Sequence, residues 1–136
     1  VRLESEVHHP WKIDSLKIVD FGLAFDSQAS QLTKTGEVFG TLDYLAPERI
    51  QGKTDDPRSD LYAVGVISYE MLSGSNPFQQ SNPGEAILFR LTADPTHLSE
   101  LHPQLPAPLT EVVMRLLARD PDQRFSSAQE VLQALR

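Results

Sequence analysis

Residues 59–72 read Ser-Asp-Leu-Tyr-Ala-Val-Gly-Val-Ile-Ser-Tyr-Glu-Met-Leu, and this stretch decides the fold. Apolar side chains fall on nearly every side of a helix drawn through it, which is typical of a helix buried on all faces. Gly65 interrupts the run at a cost of about 1 kcal/mol relative to alanine, which indicates a close approach by another part of the backbone. Ser73-Gly74 then supplies a stop signal, because glycine favours the position after a helix. The stretch therefore predicts one central, buried helix.

Three weaker helices are predicted after the central one, over residues 84–93, 108–118 and 127–135. Apolar residues recur at helical spacing most clearly in the second of them, at Leu109, Val112, Val113, Leu116 and Leu117. Either Ser126 or Ser127 is placed to cap the last helix. The proline-rich stretch at residues 103–108 is interpreted as a connector.

The part of the chain before the central helix has a different character. Residues 1–3 and 16–19 predict two short strands, because β-branched and apolar residues alternate there. Residues 26–43 are rich in Ser, Thr, Gln and Gly without a clear period, which predicts a loop. Pro47 is predicted to open a short helical turn. The fold class is therefore mainly α with a small β-hairpin.

Composition excludes several classes of function. The 136 residues carry 19 acidic and 12 basic side chains, for a formal net charge of -7, whereas nucleic-acid binding favours a basic face. No apolar run reaches the roughly 18 residues that a spanning helix needs. There is no cysteine, so neither a disulfide framework nor a thiolate metal site is available. We expect a cytoplasmic protein with no nucleic-acid partner and no membrane segment in this chain.

Four short motifs occur in a fixed order along the chain. They are D-F-G at residues 20–22, G-T-L-D-Y-L-A-P-E at residues 40–48, S-D-L-Y-A-V-G-V at residues 59–66 and L-A-R-D-P-D-Q-R-F at residues 117–125. Each motif is weak alone, but their joint order and spacing resemble those of the eukaryotic-like serine/threonine protein kinases. The sequence Tyr-Leu-Ala-Pro-Glu is similar to that of the bacterial branch of this family. The resemblance covers residues 16–136 and implies the C-terminal lobe of a kinase domain.

The resemblance implies roles for the first two motifs. Asp20 would bind the Mg²⁺ that bridges the phosphates of ATP, with Phe21 and Gly22 completing the nucleotide-binding motif. Gly40 and Thr41 would lie in the substrate-binding stretch, and Thr41 favours Ser or Thr as the acceptor. ATP and Mg²⁺ are therefore the expected cofactors, and a protein is the expected substrate.

The later motifs imply structural and regulatory roles. Glu48 would pair with Arg124 and so tether the activation segment to the helical lobe. Asp60 would accept backbone hydrogen bonds from the catalytic loop. Thr33 and Thr35 are possible phosphosites in the activation segment, where a phosphate can order a loop through arginine contacts.

Other polar residues carry weaker signals. The histidines at positions 8, 9, 97 and 102 do not have metal-ligand spacing and are interpreted as exposed loop residues. The pair Asp55-Asp56 is interpreted as a solvated turn.

The chain also departs from the family pattern. Nothing in it matches a glycine-rich loop, the strand lysine or H-R-D-x-x-x-x-N, so no catalytic base is expected within it. We expect one partial kinase domain, with a strand pair and D-F-G at residues 1–25, an activation segment at residues 26–48 and a helical lobe at residues 49–136.

Two functions remain open at this point. The first is part of an active serine/threonine kinase whose missing N-terminal half supplies the other motifs, the chain alone being inactive. The alternative is a non-catalytic kinase-like lobe that serves as a regulatory or scaffolding binding module.

Overall fold

The helices of the second half of the chain pack around the predicted central one. A computed structural model describes residues 42–53 and 56–136. In chain order its helices are α1 (Pro47–Ile50), α2 (Arg58–Ser73), α3 (Pro83–Thr92), α4 (Leu98–Leu101), α5 (Ala107–Leu116) and α6 (Ala128–Ala134). A 3₁₀ turn at Pro121–Gln123 separates α5 from α6. The predicted helices are confirmed to within a few residues, as is the helical turn at Pro47.

Helix α2 ends where its sequence predicts. Gly74 adopts a left-handed conformation with φ of 79°, and its N–H donates to the carbonyl oxygen of Glu70 at 2.8 Å. A residue with a Cβ would be strained at this φ. The glycine therefore ends the helix and turns the chain towards α3.

The core lies between α2 and α5. A Cβ added at Gly65 would lie only 2.8 Å from the Cβ of Leu116, so the two helices approach each other at this glycine. The predicted close packing at Gly65 is thus confirmed. The buried apolar side chains on either side of this contact are Tyr62, Val66, Tyr69, Phe78, Leu98, Val112, Val113, Leu116 and Leu117.

The prediction that α2 is buried on all faces is wrong. Val64 and Ile67 are about half exposed, at 46% and 47%, and Met71 is 78% exposed. These residues follow one another at helical spacing along one stripe, whereas the side that contains Gly65 meets α5. The apolar pattern could not separate these two sides, because both carry aliphatic side chains.

Side-chain caps set the beginnings of the shorter helices. Asn82 accepts a hydrogen bond from the N–H of Glu85 at 2.9 Å and so caps α3. Ser127 caps α6 by accepting from the N–H of Glu130, whose carboxylate accepts in return from the N–H of Ser126. Both serines proposed for this cap therefore take part in it, in a reciprocal arrangement that satisfies free donors at the start of the helix.

Helix α4 lies between His97 and His102, in a segment for which the sequence predicts no helix. His97 caps it, since its Nδ1 accepts from the N–H of Ser99 at 3.2 Å. His97 is half-buried, so the interpretation as an exposed loop histidine is wrong for this residue. A histidine is an uncommon cap, and four residues are too few for a hydrophobic period to show.

The mainly helical fold class is confirmed for the described residues. The predicted strand pair lies in residues 1–41, outside the part of the chain that the structure describes. Among the described helices, none is long and apolar enough to cross a membrane.

Candidate functional site

A buried ion pair joins the A-P-E motif to the last helical segment. Glu48, in α1, and Arg124, just after the 3₁₀ turn, are only 5% and 3% exposed. Arg124 donates from Nη1 to Oε1 and from Nη2 to Oε2 of Glu48, both at 2.7 Å. Two parallel short bonds between ionised groups make the strong, directional form of this interaction. The contact predicted between Glu48 and Arg124 is therefore confirmed.

All five N–H donors of Arg124 have partners. Beyond Glu48, its Nε donates to the carbonyl oxygen of Ala118 at 2.7 Å, and its Nη atoms donate to those of Arg58 and Arg119 at 3.0 and 3.1 Å. A buried guanidinium is tolerated only when its donors are satisfied in this way. Arg124 thus connects α1, the start of α2 and the segment after α5.

Glu48 is held in its charged form. Burial raises the pKa of its carboxyl, but hydrogen bonds from Arg124 and from the Ser59 hydroxyl outweigh that effect. The Ser59 bond measures 2.6 Å. The net result is a pKa below the ordinary value for glutamate, so Glu48 remains a carboxylate at neutral pH.

A second arginine stabilises the start of α2. Arg58 forms a two-pronged contact with Asp56, and its Nη1 donates to Asp122 at 2.8 Å. Hydrogen bonds to these two carboxylates raise the pKa of Arg58. Asp56 is half-buried and also accepts from the N–H of Arg58 at 2.9 Å. The interpretation of Asp56 as part of a solvated turn is therefore wrong, whereas Asp55 lies outside the described residues.

A third arginine holds the backbone of the turn formed by residues 42–45. Arg90, in α3, donates from Nη2 to the carbonyl oxygen of Asp43 at 2.7 Å and from Nη1 to those of Leu42 and Leu45. The turn is closed by a bond from the N–H of Leu45 to the carbonyl oxygen of Leu42 at 3.2 Å. The turn directly follows Thr41 in the sequence.

Two aromatic rings lie between the two buried arginines. The Arg124 guanidinium lies 4.9 Å from the ring centre of Tyr62, and the Arg90 guanidinium lies 5.1 Å from that of Phe78. The two rings are stacked, with their centres 6.0 Å apart. Cations over ring faces are stabilised by the ring quadrupole. The stack thus links the Glu48–Arg124 pair to the turn.

A groove of about 510 Å³ opens beside this turn. Its walls come from the turn itself, the end of α2, the loop after Gly74 and the first turns of α3. Glu70 lies in the wall and accepts from the Tyr44 hydroxyl at 3.0 Å and from the Asn76 amide at 2.9 Å. The bond to Glu70, with burial and nearby charge, raises the pKa of Tyr44. The groove is thus polar and acidic on the side of α2.

The structure describes only some of the predicted site residues. Asp60 is in the first turn of α2 and is exposed. The predicted nucleotide, substrate and phosphorylation residues lie outside the described part of the chain; they are Asp20, Phe21, Gly22, Thr33, Thr35, Gly40 and Thr41. Within residues 42–53 and 56–136, no cluster of three or more His, Asp or Glu side chains could hold a metal ion.

Comparison with known proteins gives the family. The sequence model of the protein kinase domain matches residues 7–135. The chain belongs to the protein kinase domain family. A serine/threonine-protein kinase PknB of Mycolicibacterium smegmatis is 36% identical over 122 residues, which is 88% of this chain and 20% of the relative. A probable serine/threonine-protein kinase of Clostridium acetobutylicum is 34% identical over 90% of this chain and 19% of its own length.

Solved kinase structures resemble the chain as well. The twitchin kinase region from C. elegans superposes with a TM-score of 0.61 and 30% identity over 71% of this chain and 16% of that one. The autoinhibited serine kinase domain of titin superposes with a TM-score of 0.63 and 29% identity, over 68% of this chain and 29% of that one. This kinase-family chain spans about a fifth of the length of the curated relatives named above.

Three contributors to this part of the kinase lobe are not predicted by the sequence. Arg90 belongs to no motif, although it is a single charged residue between Phe89 and Leu91 in an otherwise apolar stretch of helix. Ser59 begins the S-D-L-Y-A-V-G-V motif, but no pattern in the sequence predicts its bond to Glu48. The bond between Tyr44 and Glu70 joins two positions 26 residues apart, and no local pattern predicts it.

Proposed function

We propose that the native polypeptide containing this chain is a serine/threonine protein kinase that transfers the γ-phosphate of ATP to Ser or Thr hydroxyls of a protein. The family match and the relatives named as serine/threonine kinases support this proposal. Thr41 favours the same acceptor class, as the resemblance implies.

One observation carries the proposal further than family membership. The Glu48–Arg124 pair is bidentate, buried and fully satisfied, and it fixes the backbone that follows Gly40 and Thr41 in the sequence. Phosphoryl transfer depends on positioning and charge neutralisation more than on covalent help from the protein. A firmly held segment next to the proposed substrate-binding residues serves that need.

The cofactor residues proposed for this chain are Asp20, Phe21 and Gly22. Asp20 would hold Mg²⁺, which neutralises charge on the phosphates when bound. Phe21 would pack behind Asp20, and Gly22 would give the backbone the freedom that the motif needs. Asp60 would position the catalytic loop, and phosphate on Thr33 or Thr35 would regulate the activation segment.

We further propose that the chain alone is inactive. The glycine-rich loop, the strand lysine and the catalytic base have no counterpart in its sequence, so they would come from an N-terminal half of the kinase domain. That half would be the first partner of this lobe, with ATP and a protein substrate as the others. The proposed location is the cytoplasm, where ATP is available.

The test begins with the intact mass of the native polypeptide that contains these residues. That polypeptide is then purified and incubated with Mg²⁺, radiolabelled ATP and casein or myelin basic protein as acceptor. We expect label on Ser and Thr, and we expect Asp20→Asn to abolish it. Asp94→Asn is the matched control, since Asp94 is an exposed aspartate that pairs with Arg119 and belongs to none of the four motifs.

Two results would contradict the proposal. Transfer by the 136-residue chain alone, lost in Asp20→Asn, would refute its proposed inactivity. A native polypeptide that transfers no phosphate to either acceptor, or to itself, would instead favour the regulatory or scaffolding module.

A further inference from the structure

Arg90 is the one buried arginine of the described residues that has no carboxylate in hydrogen-bond contact. It is 1% exposed, and its Nη donors go to the carbonyl oxygens of Leu42, Asp43 and Leu45. Arg124, by contrast, faces Glu48, and the partly exposed Arg58 and Arg119 face aspartates. The hydrogen bonds of Arg90 therefore all go to backbone carbonyl oxygens, and these belong to a single turn.

Burying this cation has a free-energy cost that its hydrogen bonds to the turn help to offset. Burial lowers the pKa of Arg90, whereas the neighbouring Tyr62 and Asp43 act in the opposite direction. Its Nε is buried without a hydrogen-bond partner in the described part of the chain. Bonds from a charged donor to carbonyl oxygens are stronger than neutral ones, and the Phe78 ring adds a cation–π contact.

The geometry of the turn shows what this contact can control. Three of the four carbonyl oxygens at residues 42–45 accept from one guanidinium. The planar fork of an arginine can hold several acceptors in fixed relative positions, which a lysine ammonium cannot do. A shift of α3 would therefore move the turn as well. The turn forms part of the wall of the 510 Å³ groove.

We propose that Arg90 is a positioning residue for protein-substrate binding: by holding the carbonyl oxygens of residues 42–45, it fixes the turn that follows Gly40 and Thr41. This inference rests on the proposed kinase function. Arg90 does not touch the reacting atoms. It acts through the turn, so its loss weakens binding of the acceptor protein and leaves ATP binding unchanged.

The kinetic test uses the native polypeptide with Arg90→Ala, Arg90→Lys and the control Arg119→Ala. The control removes an exposed arginine that also contacts a carbonyl oxygen of α3, that of Leu91. Because the acceptor protein would then have to order the turn when it binds, we expect Arg90→Ala to raise the KM for myelin basic protein roughly tenfold or more. The KM for ATP should change less than about twofold, since uniform loss of acceptor binding affects only that substrate.

Two further readouts separate positioning from general stability. Arg90→Lys keeps the charge but not the fork, so its KM for the acceptor should lie between those of wild type and Arg90→Ala. Millimolar methylguanidinium, which can occupy the vacated space, should lower the acceptor KM of Arg90→Ala and not that of Arg119→Ala.

A structural test does not require kinase activity. In the native polypeptide, amide hydrogen exchange of residues 43–46 should accelerate in Arg90→Ala, while the amides of α2 and α5 keep their protection. An unchanged acceptor KM, or exchange that rises equally along the whole chain, would overturn the inference. So would loss of cooperative unfolding in both Arg90→Ala and Arg90→Lys, because Arg90 would then be a core residue only.

The experiments also distinguish an error in the kinase proposal from an error in the inference about Arg90. A wild-type polypeptide without phosphotransfer would refute the kinase proposal, and with it the substrate role of Arg90. Local acceleration of exchange at the turn in Arg90→Ala would then still show that Arg90 holds the turn.

Discussion

Arg124 and Glu48 are 76 positions apart in the sequence, yet their side chains meet in two parallel hydrogen bonds of 2.7 Å. The pair joins α1 to the segment after α5. Neither group can be removed without leaving the other charged and buried, which makes the contact a sensitive point of the fold.

Replacing Glu48 by alanine should destabilise the 136-residue chain by about 3–5 kcal/mol, because Arg124 would remain buried without its anion. Urea denaturation would measure the difference in unfolding free energy. Glu111→Ala is the control, because Glu111 is exposed and pairs only loosely with His97 at 3.4 Å. Surface pairs contribute roughly 0–1 kcal/mol, so equal losses in the two variants would contradict the prediction.

Acid should weaken the fold through Glu48. Because its folded-state pKa is lowered, the unfolded chain takes up the proton first as the pH falls below about 4.3, the ordinary value. The contribution is complete above that pH and is lost as the pH falls through the folded-state pKa. The stability difference between wild type and Glu48→Gln, measured by urea denaturation at each pH, should therefore shrink on acidification. A difference that grows would have the wrong sign.

Gly65→Ala should be destabilising although alanine favours helices. The added methyl would lie 2.8 Å from the Cβ of Leu116, and overpacking of this kind costs about 1–3 kcal/mol. Gly84→Ala, in α3, is the matched control, since its Cβ would meet only the Asn82 Oδ1 at 3.4 Å. Thermal unfolding should show a lower Tm for the first variant and an equal or higher one for the second. Equal shifts would argue against close contact between α2 and α5.

Two tyrosines of α2 should respond differently to loss of their hydroxyls. The Tyr69 hydroxyl donates to the carbonyl oxygen of Thr96 at 2.8 Å, so Tyr69→Phe should cost about 0.5–1.5 kcal/mol. The Tyr62 hydroxyl is buried and has no hydrogen-bond partner in the described ranges, so Tyr62→Phe should be neutral or stabilising. Urea denaturation of both variants would check this. A larger loss for Tyr62→Phe than for Tyr69→Phe would contradict it.

Local patterns were sufficient to predict the described helices of this lobe except α4. The spacing of Leu109, Val112 and Leu116 indicated α5, and Gly74 marked the end of α2, because periodicity and backbone strain act over a few residues. The Glu48–Arg124 contact could also be predicted, but only through the family resemblance, since nothing local to either residue indicates the other.

The remaining features depend on tertiary packing. The exposed stripe of Val64, Ile67 and Met71 is as apolar as the buried side of α2, so the sequence alone could not separate them. The role of Arg90 could not be predicted from the sequence, because its partners are backbone oxygens 45 to 48 residues earlier. The predicted site at Asp20 and the residues around it remains a prediction.

The anchoring of the turn by Arg90 has a consequence for how this protein can change. Carbonyl oxygens are common to every amino acid, so the side chains at positions 42, 43 and 45 can be exchanged without losing the bonds that hold them. Mutation can therefore alter the surface that this turn presents while its position is conserved. The side chains of the turn can therefore vary, whereas Arg90 in α3 must be kept to hold the turn in place.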